Sequence, residues 1–152
     1  MLIGIPTSGK STYVKKLLSM DYVKRAVVLS TDNYIEQIAE SRNETYNAVF
    51  SKTIKEATSN MNASIELAKF DGLDVIWDQT NLTQKSRKSK LAKFPNYEKS
   101  AVIFEISLEE ALLRNQTREG KIIPEHILRS MYSSMEYPSI TEGFRNIEVI
   151  QG

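Results

Sequence analysis

Residues 4–11 read Gly4-Ile5-Pro6-Thr7-Ser8-Gly9-Lys10-Ser11, which fits the pattern G-x-x-x-x-G-K-[ST] of a phosphate-binding loop. Apolar Leu2 and Ile3 stand before it and a helical pattern begins at Tyr13, so the motif has the strand-loop-helix setting that it needs. Gly4 and Gly9, with Thr7 and Ser8 between them, let backbone N–H groups turn into one concavity. There they and the next helix N-terminus meet polyphosphate oxygens. In this pattern Lys10 bridges the β and γ phosphates of ATP or another nucleoside triphosphate, Ser11 offers a hydroxyl to Mg²⁺, and Thr12 helps indirectly. The competing reading is a tight turn that binds nothing. Only Met1, Leu2 and Ile3 precede Gly4, so either the strand expected there is very short or the native chain carries a few residues before Met1.

Outward from the loop, short β-branched runs alternate with longer amphipathic stretches. The runs at 26–30, 74–77, 101–106 and 147–150 read as buried parallel strands. Residues 13–20, 46–70, 85–94, 108–118 and 124–135 carry apolar residues at three- and four-residue intervals and read as helices. Ser107 can cap the helix after it, with Glu110 three residues on, and Pro124 suits a first helical position. The alternation predicts an α/β fold in one domain over residues 1–152, a parallel sheet with helices on both faces and ligands at the carboxyl ends of its strands.

Composition narrows the chemistry. The 152 residues carry 20 Lys and Arg against 19 Asp and Glu, a net charge of +1, so any polyanion site is local rather than a global field. With no cysteine and one histidine, disulfide scaffolds, thiol nucleophiles and histidine-based metal clusters are excluded. His126 reads as a surface or packing residue. No stretch has the length of a membrane span or the form of a signal peptide, which predicts a cytoplasmic, intracellular protein.

A phosphate loop alone does not say what the bound energy does. Absence of an Asn-Lys-x-Asp motif and the small size point to a kinase. Asp32, in Ser30-Thr31-Asp32-Asn33-Tyr34, falls at the carboxyl edge of the second strand. It reads either as the base that accepts the proton of an acceptor hydroxyl or as a helix N-cap, a job Asn33 can share. Asp78, in Trp77-Asp78-Gln79-Thr80-Asn81-Leu82, reads either as a Walker B acid that holds a Mg²⁺-bound water or as another capping residue. Thr80 and Asn81 are expected to face the acceptor cleft. Residues 84–90 hold Lys85, Arg87, Lys88 and Lys90 without an acid, which makes them an attractor of polyanions or a solvated helix face. Helical spacing puts Arg114 and Arg118 on one face, just before Gly120, a candidate hinge. They read as a lid that closes over the triphosphate or as a solvated surface pair.

Taken together, the phosphate loop, Ser30 to Tyr34, Asp78-Gln79-Thr80-Asn81-Leu82, Arg114-Asn115-Gln116-Thr117-Arg118, and Pro124-Glu125-His126-Ile127-Leu128-Arg129-Ser130-Met131-Tyr132 resemble the 5′-kinase domain of the polynucleotide kinase family. Tyr137-Pro138-Ser139-Ile140-Thr141-Glu142-Gly143-Phe144 resembles the end of that domain in the animal polynucleotide kinase-phosphatases. The resemblance implies an adenylate-kinase-like P-loop NTPase sheet with a helical lid. It implies nucleic acid 5′-hydroxyl ends as the acceptor, with Lys10 and Ser11 on donor phosphates and metal, Asp32 on the 5′-hydroxyl and Arg114 and Arg118 in the lid. One position departs from it: Ile35 stands where the phage enzyme of the family has an arginine that reaches an acceptor phosphate. This leaves a second acceptor class open, another alcohol such as a small metabolite, a nucleoside or a modified base in DNA. A non-catalytic nucleotide-binding module is the third reading.

Overall fold

Side chains alternate across the short apolar runs, as strands buried on both faces require. In the computed structural model, which describes residues 1–20 and 25–152, the strands are β1 (Leu2–Ile3), β2 (Ala26–Leu29), β3 (Asp74–Trp77), β4 (Ser100–Glu105) and β5 (Asn146–Gln151). All pair in parallel, in one ribbon of order β1-β4-β5 and another of β2-β3. The ribbons meet at a bridge between Leu2 and Asp78, beside a hydrogen bond from Gly4 N to Thr80 O of 3.0 Å. The resulting order is β2-β3-β1-β4-β5. Chain order reverses beside β1, where a crevice opens outside the carboxyl ends of the strands.

The helices are α1 (Lys10–Leu18), α2 (Thr31–Arg42), α3 (Tyr46–Asp71), α4 (Gln84–Leu91), α5 (Leu108–Gln116) and α6 (Glu125–Ser133). On one face of the sheet Leu2, Ile76 and Phe104 pack with Val14 of α1. On the other, Leu29 and Trp77 pack with Ile65 and Ala68 of α3 and with Phe94, and Ile3 and Ile103 pack with Phe144. A further cluster joins Ile5 to Ala111 of α5 and Leu128 of α6. No helix among the described residues is long and apolar enough to cross a membrane.

Apart from shifts of one to three residues at the ends of several elements, the structure departs from the sequence expectation at α2, α5 and α6. Helix α2 falls in a stretch that the periodicity did not mark. Its buried residues are Thr31, Ile35 and Ala39, and the last two pack on Val49 and Ala57 of α3, too narrow a stripe to register. Helix α5 stops at Gln116 with Thr117 as C-cap, so Arg118 lies beyond it and does not form an i,i+4 pair with Arg114. Pro124 is the N-cap of α6, one position before its expected place. The Ser107 cap is as expected, its hydroxyl accepting from Glu110 N at 3.1 Å.

Arg87 is wholly buried. Its guanidinium pairs with Glu142, Nε to Oε2 at 2.8 Å, with side chains 0% and 2% exposed. It also donates to Asn81 O, Leu82 O, Glu136 O and Tyr137 O at 2.9 to 3.3 Å. The stretch 84–90 is therefore not a uniformly solvated face. Arg87 and half-buried Lys90 turn inward, leaving Lys85 and Lys88 exposed.

Candidate active site

The phosphate loop passes so close to β4 that a Cβ on Gly4 would lie 2.7 Å from Ser8 Oγ and 3.1 Å from Phe104 Cβ. Glycine is the side chain that fits. Gly9 takes φ 96° as the N-cap of α1, and among the described residues no side chain caps that end, so the N–H groups at the amino terminus of α1 are open to an anion. Lys10 is buried, and its Nζ donates to Gly4 O at 2.9 Å and Ile5 O at 2.7 Å. Burial lowers its pKa to about 8 against the opposing pull of Asp78 and Asp32.

The two acids do not cap the helices that come after them. Ser30 caps α2, accepting from Asn33 N at 3.3 Å, and Thr83 caps α4, accepting from Ser86 N at 3.2 Å. Asp32 sits in the first turn of α2, half exposed. Tyr46 donates its hydroxyl to Oδ1 at 2.8 Å, and Lys121 Nζ lies 3.3 Å from Oδ2. Lys121 also pairs with Glu36 and lies 4.3 Å from the ring centroid of Tyr46. Burial pushes the Asp78 carboxyl above the usual range, while Lys10 beside it pulls the other way.

The two arginines occupy different settings. Arg114 pairs with Glu110 at 2.7 Å and donates to Thr7 O at 3.3 Å. Its charge is balanced within its own helix, and it braces the loop from outside the crevice. Arg118 reaches inward. Its Nη1 is buried and has no hydrogen-bond partner among the described residues, and burial lowers the guanidinium pKa against the pull of Asp32. A buried cationic N–H without an acceptor is costly, and an anion in the crevice relieves that cost.

Asn81 does not face the acceptor side. It is 1% exposed; its Nδ2 donates to Leu2 O at 2.6 Å and Gln79 O at 3.1 Å, and Oδ1 accepts from Lys90 at 2.6 Å. The residue ties β1 to the turn after β3. The polar crevice, of about 250 Å³, brings together Thr7, Gly9, Lys10, Ser11, Thr12, Asp32, Asp78, Thr80 and Arg118, whereas Gly4, Ser8 and Arg114 shape the loop from behind. Sequence reasoning missed Glu36 and Tyr46. Glu36 lies one helical turn from Asp32, a signal that needed α2 to be recognised; nothing local marks Tyr46.

Among the described residues no group of three or more His, Cys, Asp or Glu is placed to hold a metal. Ser11 and Asp78 both line the crevice and suit Mg²⁺, which keeps several waters and takes its other ligands from phosphate oxygens.

The AAA domain family AAA_33 matches residues 1–138. A bifunctional polynucleotide phosphatase/kinase of Schizosaccharomyces pombe is 28% identical over 156 aligned positions, covering 99% of this chain. The chain spans about a third, 32%, of that relative's length. The matched residues 1–138 contain the phosphate loop, both acids and both arginines, and the chain belongs to the AAA_33 family of AAA domains.

Proposed function

We propose that residues 1–152 form one domain that transfers the γ-phosphate of ATP to the 5′-hydroxyl end of DNA or RNA. One observation carries this reading: Asp32, relieved of capping by Ser30, lines the same crevice as Lys10, Ser11 and Arg118. The acceptor oxygen attacks the γ-phosphorus in line, the new P–O bond forms, and the bond from that phosphorus to the β–γ bridging oxygen breaks. The electron pair leaves with the nucleoside diphosphate, and the hydroxyl proton passes to the Asp32 carboxylate and then to water. Lys10 leaves the carbonyls of Gly4 and Ile5 for the phosphates, and Arg118 meets charge that develops on the transferred group. Mg²⁺, when bound by Ser11 and through water by Asp78, neutralises phosphate charge.

The test is transfer of labelled γ-phosphate to a 5′-hydroxyl oligonucleotide beside a 5′-phosphorylated control and Asp32→Ala. Label confined to the 5′-hydroxyl strand, reduced about 10²- to 10⁴-fold in the variant with ATP affinity kept, is the expected result; no label on either strand despite ATP binding refutes it. A second reading, a different alcohol as acceptor, draws on Ile35, which is 0% exposed within the contact of α2 and α3 and supplies no charge for an acceptor phosphate.

A further inference from the structure

Beyond Asp32 the crevice opens into a groove of about 620 Å³ that shares Pro6, Asp32, Thr80, Arg118 and Lys121 with it. Its apolar lining comes from Tyr46, Phe50 and Ile54 of α3, Ile122 of the linker, and Ile127 and Met131 of α6. Phe50, Ile122 and Ile127 remain 40%, 48% and 39% exposed, so this apolar surface is not consumed by the core. The rings of Tyr46 and Phe50 stand 5.7 Å apart, tilted by 40°. A concave apolar space with few polar groups at one end is the usual form of a small-molecule site. Here the polar end is Asp32.

The charges around the groove are already committed. Among its described lining residues, the acidic and basic side chains are those of Asp32, Arg118 and Lys121. Lys121 is held by Asp32 and Glu36 across the Tyr46 ring, and Arg118 also belongs to the phosphate crevice. Among the described residues the groove has no cation set aside for a phosphodiester.

We infer that the groove takes the acceptor as an uncharged planar body, the terminal nucleoside with its base on Tyr46 and Phe50 and its 5′-hydroxyl at Asp32, and that the acceptor's phosphates contribute little to its binding. This rests on the kinase reading above and deepens it. Apolar and aromatic surface binds a base without regard to backbone charge, whereas a site that reads phosphates weakens steeply with salt.

The experiment uses the full chain with ATP and Mg²⁺. Acceptor KM is measured for thymidine, thymidine 3′-phosphate and a 5′-hydroxyl thymidine ten-mer at about 50 and about 200 mM salt. The expected result is KM values within about threefold of one another that move less than about twofold with salt. Phe50→Ser, and Ile127→Ser on a separate element, raise all three about tenfold and leave ATP KM and the thermal midpoint unchanged. A KM about 100-fold lower for the ten-mer, rising steeply with salt, overturns the inference and keeps the polynucleotide reading. Transfer to thymidine and thymidine 3′-phosphate with similar KM but not to the ten-mer, with the groove variants acting as stated, upholds the inference and overturns the polynucleotide reading. Transfer to none of the three, or groove variants that change only ATP KM, overturns the inference.

Discussion

Ser30 and Thr83 cap α2 and α4, and two acids a few residues away, Asp32 and Asp78, stand in the crevice instead. At Asp32 the hydroxyl of Tyr46 fixes one carboxylate oxygen. Tyr46→Phe removes that bond and keeps the ring under Lys121; we expect kcat to fall several-fold, about one hydrogen bond's worth, with ATP affinity unchanged in a titration of the same variant. Lys90 offers a different test. Burial lowers its pKa from 10.5 to about 8. Below pH 8 both folded and unfolded chains carry the charge, and the fold bears the cost of burying it. From about 8 to 10.5 the unfolded chain holds a proton that the folded chain has lost, so stability rises with pH through that window and levels off above it. Urea unfolding at either end of the window should show a rise in the wild type that is smaller in Lys90→Met, by on the order of 1 kcal/mol after screening by solvent, the remainder belonging to Lys10, whose pKa burial lowers likewise. At this scale the phosphate loop was legible because its chemistry is local. The capping of α2 was not, because Ser30, Asp32 and Asn33 are all good caps and sequence alone does not rank them.

Among the elements, α2 and the stretch after α5 were the hardest to read. Helix α2 shows α3 only a narrow buried stripe, and most of its residues are polar or charged. Helix α5 ends two residues early because Thr117 N turns back to Arg114 O at 3.3 Å and Arg118 N to Asn115 O at 3.2 Å, a tightening that no apolar spacing reports. The segment from Gly120 to Ile122 is tied down. Asn47 N donates to Gly120 O and its Nδ2 to Ile122 O, each at 3.0 Å, and a Cβ on Gly120 would meet Thr45 Cβ at 2.9 Å. The stretch expected to hinge is therefore docked on the amino end of α3 and carries Lys121 to Asp32. Arg87 does similar service for the turn after β3. Glu142→Gln leaves its guanidinium buried without a counter-charge, which costs about 3–5 kcal/mol. A fall in thermal midpoint of about 10 °C is expected by calorimetry, and a change under about 2 °C would show that the backbone carbonyls alone satisfy Arg87.

Over the whole molecule, the parallel sheet and the position of the crevice were legible from alternating runs and one loop motif, since both depend on how strands bury and where their carboxyl ends lie. The groove beside Asp32 was not, because its lining joins α3, a linker and α6, which are distant in sequence. A crevice built around Lys10 and an unpaired Arg118 nitrogen should bind a triphosphate tightly in the folded state alone. At about 100 times its Kd, a non-hydrolysable ATP analogue with Mg²⁺ is expected to stabilise the fold by about 2.7 kcal/mol and raise the midpoint by about 5–10 °C; Lys10→Ala should abolish most of that shift in a thermal melt. The sheet's two ribbons, joined at the bridge between Leu2 and Asp78, put the phosphate loop on one and the acids on the other. The α3 wall of the groove arises from one uninterrupted stretch between β2 and β3. Descendants of such a protein can trade that stretch for another, and so inherit a finished phosphate donor site while acquiring a new acceptor.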